Sequence, residues 1–210
     1  MIRVLIADDH AVVRRGVRQI LDAEVDIEVV AEAADYVEIR RRLREHQFDV
    51  LVLDMQIPGK NGIEVTKALK DDSPRLAVLM LSSYPEEQYA VRALKAGARG
   101  YLNKMNSPER IVEAVRTVAS GRKYINAETA EALASTLTSE RSETPHTLLS
   151  DREFQVLKMI ASGHKLAEIA DALALSPKTV SVYRARILDK MGIRSNAELA
   201  QYAIRNALLD

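Results

Sequence analysis

An α/β domain followed by an all-α domain is the fold class that three features of the sequence predict. Over residues 1 to 122, short apolar runs alternate with segments of helical period; the last 60 residues carry helical signals only; and a polar stretch ending in Pro145 separates the two. The first part is expected to be a doubly wound, five-stranded parallel sheet and the second a four-helix module. Domains are expected at 1–122 and 147–210, with a linker helix and flexible linker over 123–146.

The strands come first. Val4 to Ala7, Ile27 to Ala31, Val50 to Leu53, Ala77 to Leu81 and Gly100 to Leu102 are brief, apolar and rich in β-branched residues, as strands buried on both faces should be. Helices are expected between and after them, near 11–22, 35–46, 62–70, 86–96 and 108–119. Gly97 and Gly121 close the fourth and fifth, and Ser107-Pro108 opens the fifth as N-cap plus first-turn proline. Repeated strand-then-helix units require right-handed crossovers and a sheet covered on both sides, and ligands of such sheets collect at the carboxyl ends of the strands.

From Lys123 the pattern weakens into an Ala-rich helix around Ala127 to Leu137 and then a polar run, Thr138 to His146. In the C-terminal part, Ser150-Asp151-Arg152-Glu153 and Ser195-Asn196-Ala197-Glu198 read as capping boxes. Gly163 ends the first helix, Ser176-Pro177 starts the third and Gly192 ends it. A short helix, Leu166 to Leu173, joins the third through Ala174-Leu175-Ser176-Pro177, the tight connection of a helix-turn-helix.

Composition bounds the chemistry. The chain has 210 residues, 30 Lys plus Arg against 30 Asp plus Glu, and neither Cys nor Trp. That excludes a thiol nucleophile, a thiolate zinc site and a disulfide framework, and argues against nucleic-acid coating by bulk charge. The opening segment Met1 to Ala7 is too short for a signal-peptide core, and no apolar stretch is long enough to span a membrane, so a cytoplasmic protein with no membrane partner is expected.

Asp8 and Asp9 follow the first strand and Asp54 the third, which brings three carboxylates to one sheet edge. Such acids repel one another unless a cation or proton relieves them, and an all-oxygen donor set suits Mg²⁺. Ser82 ends the fourth strand and Lys104 follows the fifth. A carboxylate cluster with a hydroxyl and an ammonium suits an aspartate that attacks a phosphoryl group, Asp54 being the best-placed nucleophile. Each residue alone reads as a turn or edge residue; the coincidence of five such residues at four strand ends is what points to chemistry. A Ser/His/Asp triad through His10 lacks a nucleophile elbow, so His10 reads as a first-turn helix residue. The basic run Arg40-Arg41-Arg42 reads as a solvated helix face.

In the third C-terminal helix, Val180, Tyr183, Ile187 and Met191 form the expected buried stripe. Lys178, Ser181, Val182, Ala185 and Arg186 lie opposite, flanked by Arg184 and Lys190. Residues 178 to 194 hold five basic residues and one acid. Entering the major groove, this helix would present Ser181 and Val182 to base edges and Lys178 to bases or phosphates, with Arg184, Arg186 and Lys190 on phosphates.

Asp8-Asp9, Leu53 to Gly62, Leu81-Ser82-Ser83 and Gly97 to Lys104 resemble the receiver domain of bacterial two-component response regulators, a flavodoxin-like fold. Leu149 to Leu157, Gly163, Glu168-Ile169-Ala170, Ser176 to Val180 and Lys190-Met191 resemble the LuxR-type module of NarL/FixJ response regulators, with a lean toward the BvgA-like and GacA-like branch. The resemblance implies that Asp54 accepts phosphate from a sensor histidine kinase and that Asp9, Asp54 and the Gln56 carbonyl bind Mg²⁺, with Asp8 orienting a metal-bound water. It further implies that Ser82 and Lys104 grip the phosphoryl group, that Tyr101 follows Ser82 inward, and that Thr179 joins the DNA-binding set.

The function so implied is a DNA-binding regulator, not an enzyme beyond catalysing its own aspartyl phosphorylation and dephosphorylation. Phosphorylation would shift it toward dimers on promoter half-sites or release its DNA-binding module, with RNA polymerase a further candidate partner. Leu199, Tyr202, Ala203 and Leu208 of the last helix either pair two copies or fill the module's own core. An aspartyl phosphatase of the haloacid-dehalogenase kind would carry Asp-x-Asp after its first strand, whereas Asp8 and Asp9 are adjacent. A constitutive DNA binder with a vestigial acidic pocket is the third alternative.

Overall fold

The computed structural model describes residues 1–126, 129–131 and 145–209, in two compact units, 1–138 and 139–210. In the first unit β1 (Ile2–Ala7), β2 (Ile27–Ala33), β3 (Val50–Leu53), β6 (Ala77–Ser82) and β7 (Gly100–Asn103) form one five-stranded sheet in the order β2-β1-β3-β6-β7, every neighbour parallel. Helices α1 (Ala11–Asp22), α2 (Tyr36–Glu45), α3 (Gly62–Asp72), α4 (Glu86–Ala96) and α5 (Pro108–Ala119) connect or follow the strands. The strand order reverses between β1 and β3, which opens a crevice at their carboxyl ends.

Side-chain parity divides the sheet between two cores. Val4 and Ile6, Val50 and Val52, Leu79 and Leu81, and Leu102 pack with Val17 and Leu21 of α1 and with Ile111, Val112, Val115 and Val118 of α5. The alternate residues, Leu5, Leu51, Leu53, Val78 and Met80, are buried on the opposite face. Burial on both faces is why β3 and most of β6 read as unbroken apolar runs, whereas the edge strand β2 alternates and carries Glu28 and Glu32. Each fully buried aliphatic side chain contributes about 1.5–3 kcal/mol.

Two local features depart from the sequence expectation. A two-residue antiparallel pair, β4 (Gln56–Ile57) with β5 (Lys60–Asn61), follows Asp54; Pro58 and Gly59, the latter at φ +91°, turn it. Ser107 precedes Pro108 as expected, but its hydroxyl makes no capping bond to the helix; it binds the Glu109 carboxylate instead, holding that acid below its usual range. Gly97 does close α4, at φ +115°.

Residues read from sequence as the start of the linker join the first unit. The Tyr124 amide donates to the Arg99 carbonyl (2.8 Å), and Tyr124 bridges Gly100 in parallel beside β7. Thr129 to Glu131 are helical; the rest of the expected helix over 127–137 and the polar run to 144 lie outside the described residues.

The second unit holds a 3₁₀ turn (Pro145–Leu148) and α6 (Asp151–Ala161), α7 (Leu166–Ala172), α8 (Pro177–Met191) and α9 (Asn196–Arg205). Ser150 and Glu153 form the expected capping box. At α9 only half of one forms: Ser195 accepts from the Glu198 amide, while the Glu198 carboxylate reaches past Ser195 to the Arg194 amide (3.0 Å). Phe154, Leu157, Ile160, Ile169, Val180, Ile187, Leu199 and Ala203 are buried. Among the described residues no helix is long and apolar enough to cross a membrane.

Candidate functional site: an acidic pocket and a basic helix

The parallel register puts Ala7 beside Leu53, so the residues that follow each strand, Asp8 and Asp54, emerge side by side. Both are buried, at 3 % and 5 % exposure, whereas Asp9 is exposed. The Lys104 ammonium sits between the buried pair, 2.6 Å from Asp8 Oδ2 and 3.0 Å from Asp54 Oδ2. The Lys104 amide donates to the Ser82 carbonyl (2.8 Å), which fixes the turn that carries it. Asp54 Oδ1 accepts from the Met55 amide (2.7 Å) and Asp8 Oδ1 from the His10 amide (2.8 Å).

Burial pushes the Asp54 carboxyl up to about 6; the Asp8 charge adds to the rise, while Lys104 and the Met55 amide oppose it. Burial works against the Lys104 charge, yet the two carboxylates outweigh it and raise its pKa. At neutral pH the pocket therefore sets a largely ionised Asp54, with Asp8 and Asp9 beside it, against one ammonium. Its net negative charge suits a divalent cation, while the ammonium suits a phosphoryl group.

Oxygens of Asp8, Asp9 and Asp54 and a ring nitrogen of His10 lie within 4.8 Å of one another, close enough to surround one ion. The sequence reading left histidine out of this cluster. The structure brings it in: His10 stands at the N-cap of α1, its Nδ1 2.6 Å from Asp9 Oδ1 and 3.4 Å from Asp8 Oδ1. The oxygen donors remain the hard set that Mg²⁺ prefers.

Above Asp54, Ser82 is buried and its Oγ accepts from the Tyr84 amide (3.3 Å). Tyr101 already occupies the inward position, 4 % exposed, with its hydroxyl donating to the Tyr84 carbonyl (3.0 Å). Burial raises that phenol well above its usual range, against a bond to Ser82. The Gln56 side-chain amide donates to the Tyr84 hydroxyl (2.7 Å), so one loop residue links Gln56, Ser82 and Tyr101. Sequence reasoning missed Tyr84; its place two residues after a strand-end serine was the available signal. It missed Gly62 also. A Cβ there would lie 2.4 Å from the Asp54 carbonyl oxygen and 2.8 Å from Met80 Cε, so only glycine allows α3 to start against the Asp54 backbone.

In the second unit, α8 follows α7 through a four-residue turn in which Ala174 takes φ +51°. Ser176 caps α8 by accepting from the Thr179 amide (3.0 Å). Val180, Ile187 and Met191 are buried as expected, and Tyr183 half-buried. Lys178, Ser181, Val182 and Arg186 are exposed, and with Ser176, Thr179 and Tyr183 all but Ser181 line one shallow depression.

The other three expected DNA contacts hold partners within the unit. Thr179 Oγ1 is 2.7 Å from Ser176 Oγ, Arg184 Nε donates to Asn196 Oδ1 (2.7 Å), and Lys190 Nζ donates to Glu153 Oε2 (2.6 Å). Glu153 is buried, so Lys190 here neutralises an internal acid. Of the residues offered for pairing through α9, Leu199, Ala203 and Leu208 are buried, and the Tyr202 hydroxyl lies 2.8 Å from His146 Nδ1; Ile204, 68 % exposed, is the large apolar residue left outside.

Comparison with known proteins finds a family for each unit. Residues 4–116 match the response regulator receiver domain, and residues 147–203 match bacterial regulatory proteins of the luxR family. The response regulator UvrY of Escherichia coli K12 is 39 % identical over 209 residues, 99 % of this chain and 96 % of UvrY. The oxygen regulatory protein NreC of Staphylococcus epidermidis is 37 % identical over 216 residues, 99 % of each chain. Among solved structures, RcsB of Salmonella enterica serovar Typhimurium, bound to the rprA promoter in the presence of phosphomimetic BeF₃⁻, is 26 % identical with a TM-score of 0.65, covering 96 % of this chain and 98 % of that one. The chain therefore belongs to the NarL/FixJ family of two-component response regulators, which join a receiver domain to a LuxR-type DNA-binding domain.

Proposed function

We propose that Asp54 is the phosphoacceptor of this regulator and that its phosphorylation by a sensor histidine kinase controls transcription through sequence-specific DNA binding. The observation that carries this is the Asp8–Lys104–Asp54 arrangement, a buried carboxylate held against an ammonium at the crevice of the sheet. Asp54, ionised in most molecules at neutral pH, attacks phosphorus; a P–O bond forms as the bond from phosphorus to the kinase's histidine nitrogen breaks. Lys104 moves from the carboxylates to a phosphoryl oxygen, and the Ser82 hydroxyl donates to another.

Asp8, Asp9, Asp54 and the Gln56 carbonyl would hold Mg²⁺, which supplies charge neutralisation for the equatorial oxygens. The clustered carboxylate oxygens support this assignment. Catalysis is confined to the chain's own phosphorylation and dephosphorylation.

On DNA, Ser181 and Val182 face base edges in the major groove, Lys178 the bases or phosphates and Arg186 the phosphates, with Thr179 beside them. Arg184 and Lys190 reach phosphates only by exchanging Asn196 and Glu153 for them. Promoter half-sites, a dimer formed on phosphorylation, RNA polymerase as a further partner and a cytoplasmic location complete the reading. The test is intact mass after incubation with acetyl phosphate and Mg²⁺. Wild type is expected to gain one acid-labile phosphoryl group and Asp54→Asn none; equal labelling of the two would remove Asp54 from the role.

A further inference from the structure

Glu86, the first residue of α4, divides its carboxylate between two places. Oε1 accepts from the Asn103 amide (2.9 Å), the peptide immediately before Lys104, and from Asn106 Nδ2 (3.2 Å) in the turn that follows. Oε2 accepts from Asn126 Nδ2. Asn126 in turn holds the helical residues 129–131: its Oδ1 accepts from the Thr129 amide (2.8 Å) and its carbonyl from the Ala130 amide (3.0 Å). One carboxylate thus ties the turn that bears Lys104 to Asn126, which receives the amides of the helical residues Thr129 and Ala130.

We propose that Glu86 is a positioning residue that couples occupancy of Asp54 to the start of the linker helix. This rests on the reading of Asp54 as phosphoacceptor. The chain of bonds is continuous. The Lys104 amide is held by the Ser82 carbonyl, and Asn103 Nδ2 donates to the Tyr84 carbonyl (3.3 Å), the same oxygen that accepts from Tyr101. A phosphoryl group on Asp54 draws the Ser82 hydroxyl and the Lys104 ammonium toward it. The Ser82–Tyr84 loop and the Asn103–Asn106 turn move with them.

Glu86 sits on α4, outside that loop and turn, and its two oxygens serve three donors in one fixed geometry. Displacing the Asn103–Asn106 side stretches the set, and the bond to Asn126 is the member with least other support. Tyr124 remains held by its own bridge to Gly100, so release begins at Asn126 rather than at the sheet edge. Freeing the Asn126 side chain lets its Oδ1 leave the Thr129 amide, while the Asn126 carbonyl keeps the Ala130 amide; loss of that side-chain cap raises the free energy of the turn. Coupling of this kind is reciprocal: if phosphorylation loosens the Glu86–Asn126 bond, removing the bond makes Asp54 easier to phosphorylate.

The experiment is hydrogen exchange on the full chain with Mg²⁺, before and after acetyl phosphate, in wild type, Glu86→Ala and Asn126→Ala, with intact mass recording phosphoryl occupancy. In wild type, exchange of peptides covering 126–131 is expected to rise about fivefold or more on phosphorylation. In both variants exchange is expected to be high from the start and insensitive to phosphorylation, and phosphoryl occupancy at a fixed acetyl phosphate concentration to be higher at steady state. Asn126 lies outside the sheet and the pocket, so its variant keeps the test valid should Glu86→Ala disturb α4. Unchanged exchange in phosphorylated wild type, or the same rise in the Asn126→Ala variant as in wild type, overturns the coupling while leaving Asp54 as phosphoacceptor. A wild type that takes up no phosphoryl group overturns both.

Discussion

Gly62 and Glu153 show how single residues set the two sites. Replacing Gly62 by Ala places a Cβ against the Asp54 carbonyl; the flexible end of Met80 can shift aside, but that backbone cannot withdraw without moving the nucleophile. The expected result is a loss of about 1–3 kcal/mol in receiver stability together with slower acetyl phosphate labelling, measured by thermal unfolding and intact mass. Burial pushes the Glu153 carboxyl up, but the Lys190 ammonium and the Ser150 amide and hydroxyl outweigh it and hold it below the usual glutamate range. The folded state then binds a proton less readily than the unfolded state. Its contribution to stability is present above the ordinary glutamate pKa and lost as pH falls through the depressed value.

Glu153→Gln should flatten that acid limb, by about 1 kcal/mol given the half-exposed Lys190; hydrogen exchange of α6 amides across the acidic range reads it. An unaltered acid limb would remove the pair from this role. At this scale the sequence made the acids, Ser82 and Lys104 legible because strand ends mark them. Tyr84, Glu86 and His10 were not, since their roles depend on how loops fold back over the pocket.

Among elements, α8 depends on its cap. Ser176 satisfies the Thr179 amide and pairs with the Thr179 hydroxyl at the entry to the DNA-facing helix, so Ser176→Ala should cost about 1 kcal/mol and loosen the first turn of α8. Hydrogen exchange at Thr179 and Val180 checks it, and protection equal to wild type would count against the cap. The central strands β1, β3 and β6 were readable because burial on both faces leaves a short apolar run, and α6 and α8 because Ser150 and Ser176 precede them. The β4–β5 pair was not readable, two residues being too short for any period. Nor was the turn before α8: Ala174 at φ +51° carries no residue signal where glycine would be the usual choice.

For the whole molecule, the order of the two units was legible from the switch between alternating and purely helical patterning. The attachment of 123–131 to the first unit was not, because a single bridge at Tyr124 and one carboxylate at Glu86 leave no periodic trace. DNA binding should separate by residue. Arg186→Ala is expected to weaken binding to all sequences alike and lower the salt slope by about 1, whereas Ser181→Ala should alter sequence preference with little change in that slope; anisotropy titrations against a selected and a random duplex distinguish them. An Arg186 variant with an unchanged salt slope would place that side chain away from phosphate.

The central claim is that a phosphoryl group on Asp54 changes how the second unit engages DNA. The most direct measurement compares the affinity of the acetyl phosphate-treated and untreated chain for one selected duplex at fixed salt, in wild type and Asp54→Asn. Wild type is predicted to bind about fivefold or more tightly when phosphorylated, with Asp54→Asn fixed at the untreated value. Equal affinity in all four samples, with phosphoryl uptake by wild type verified by mass, would contradict the account and leave a DNA-binding protein indifferent to its acidic pocket.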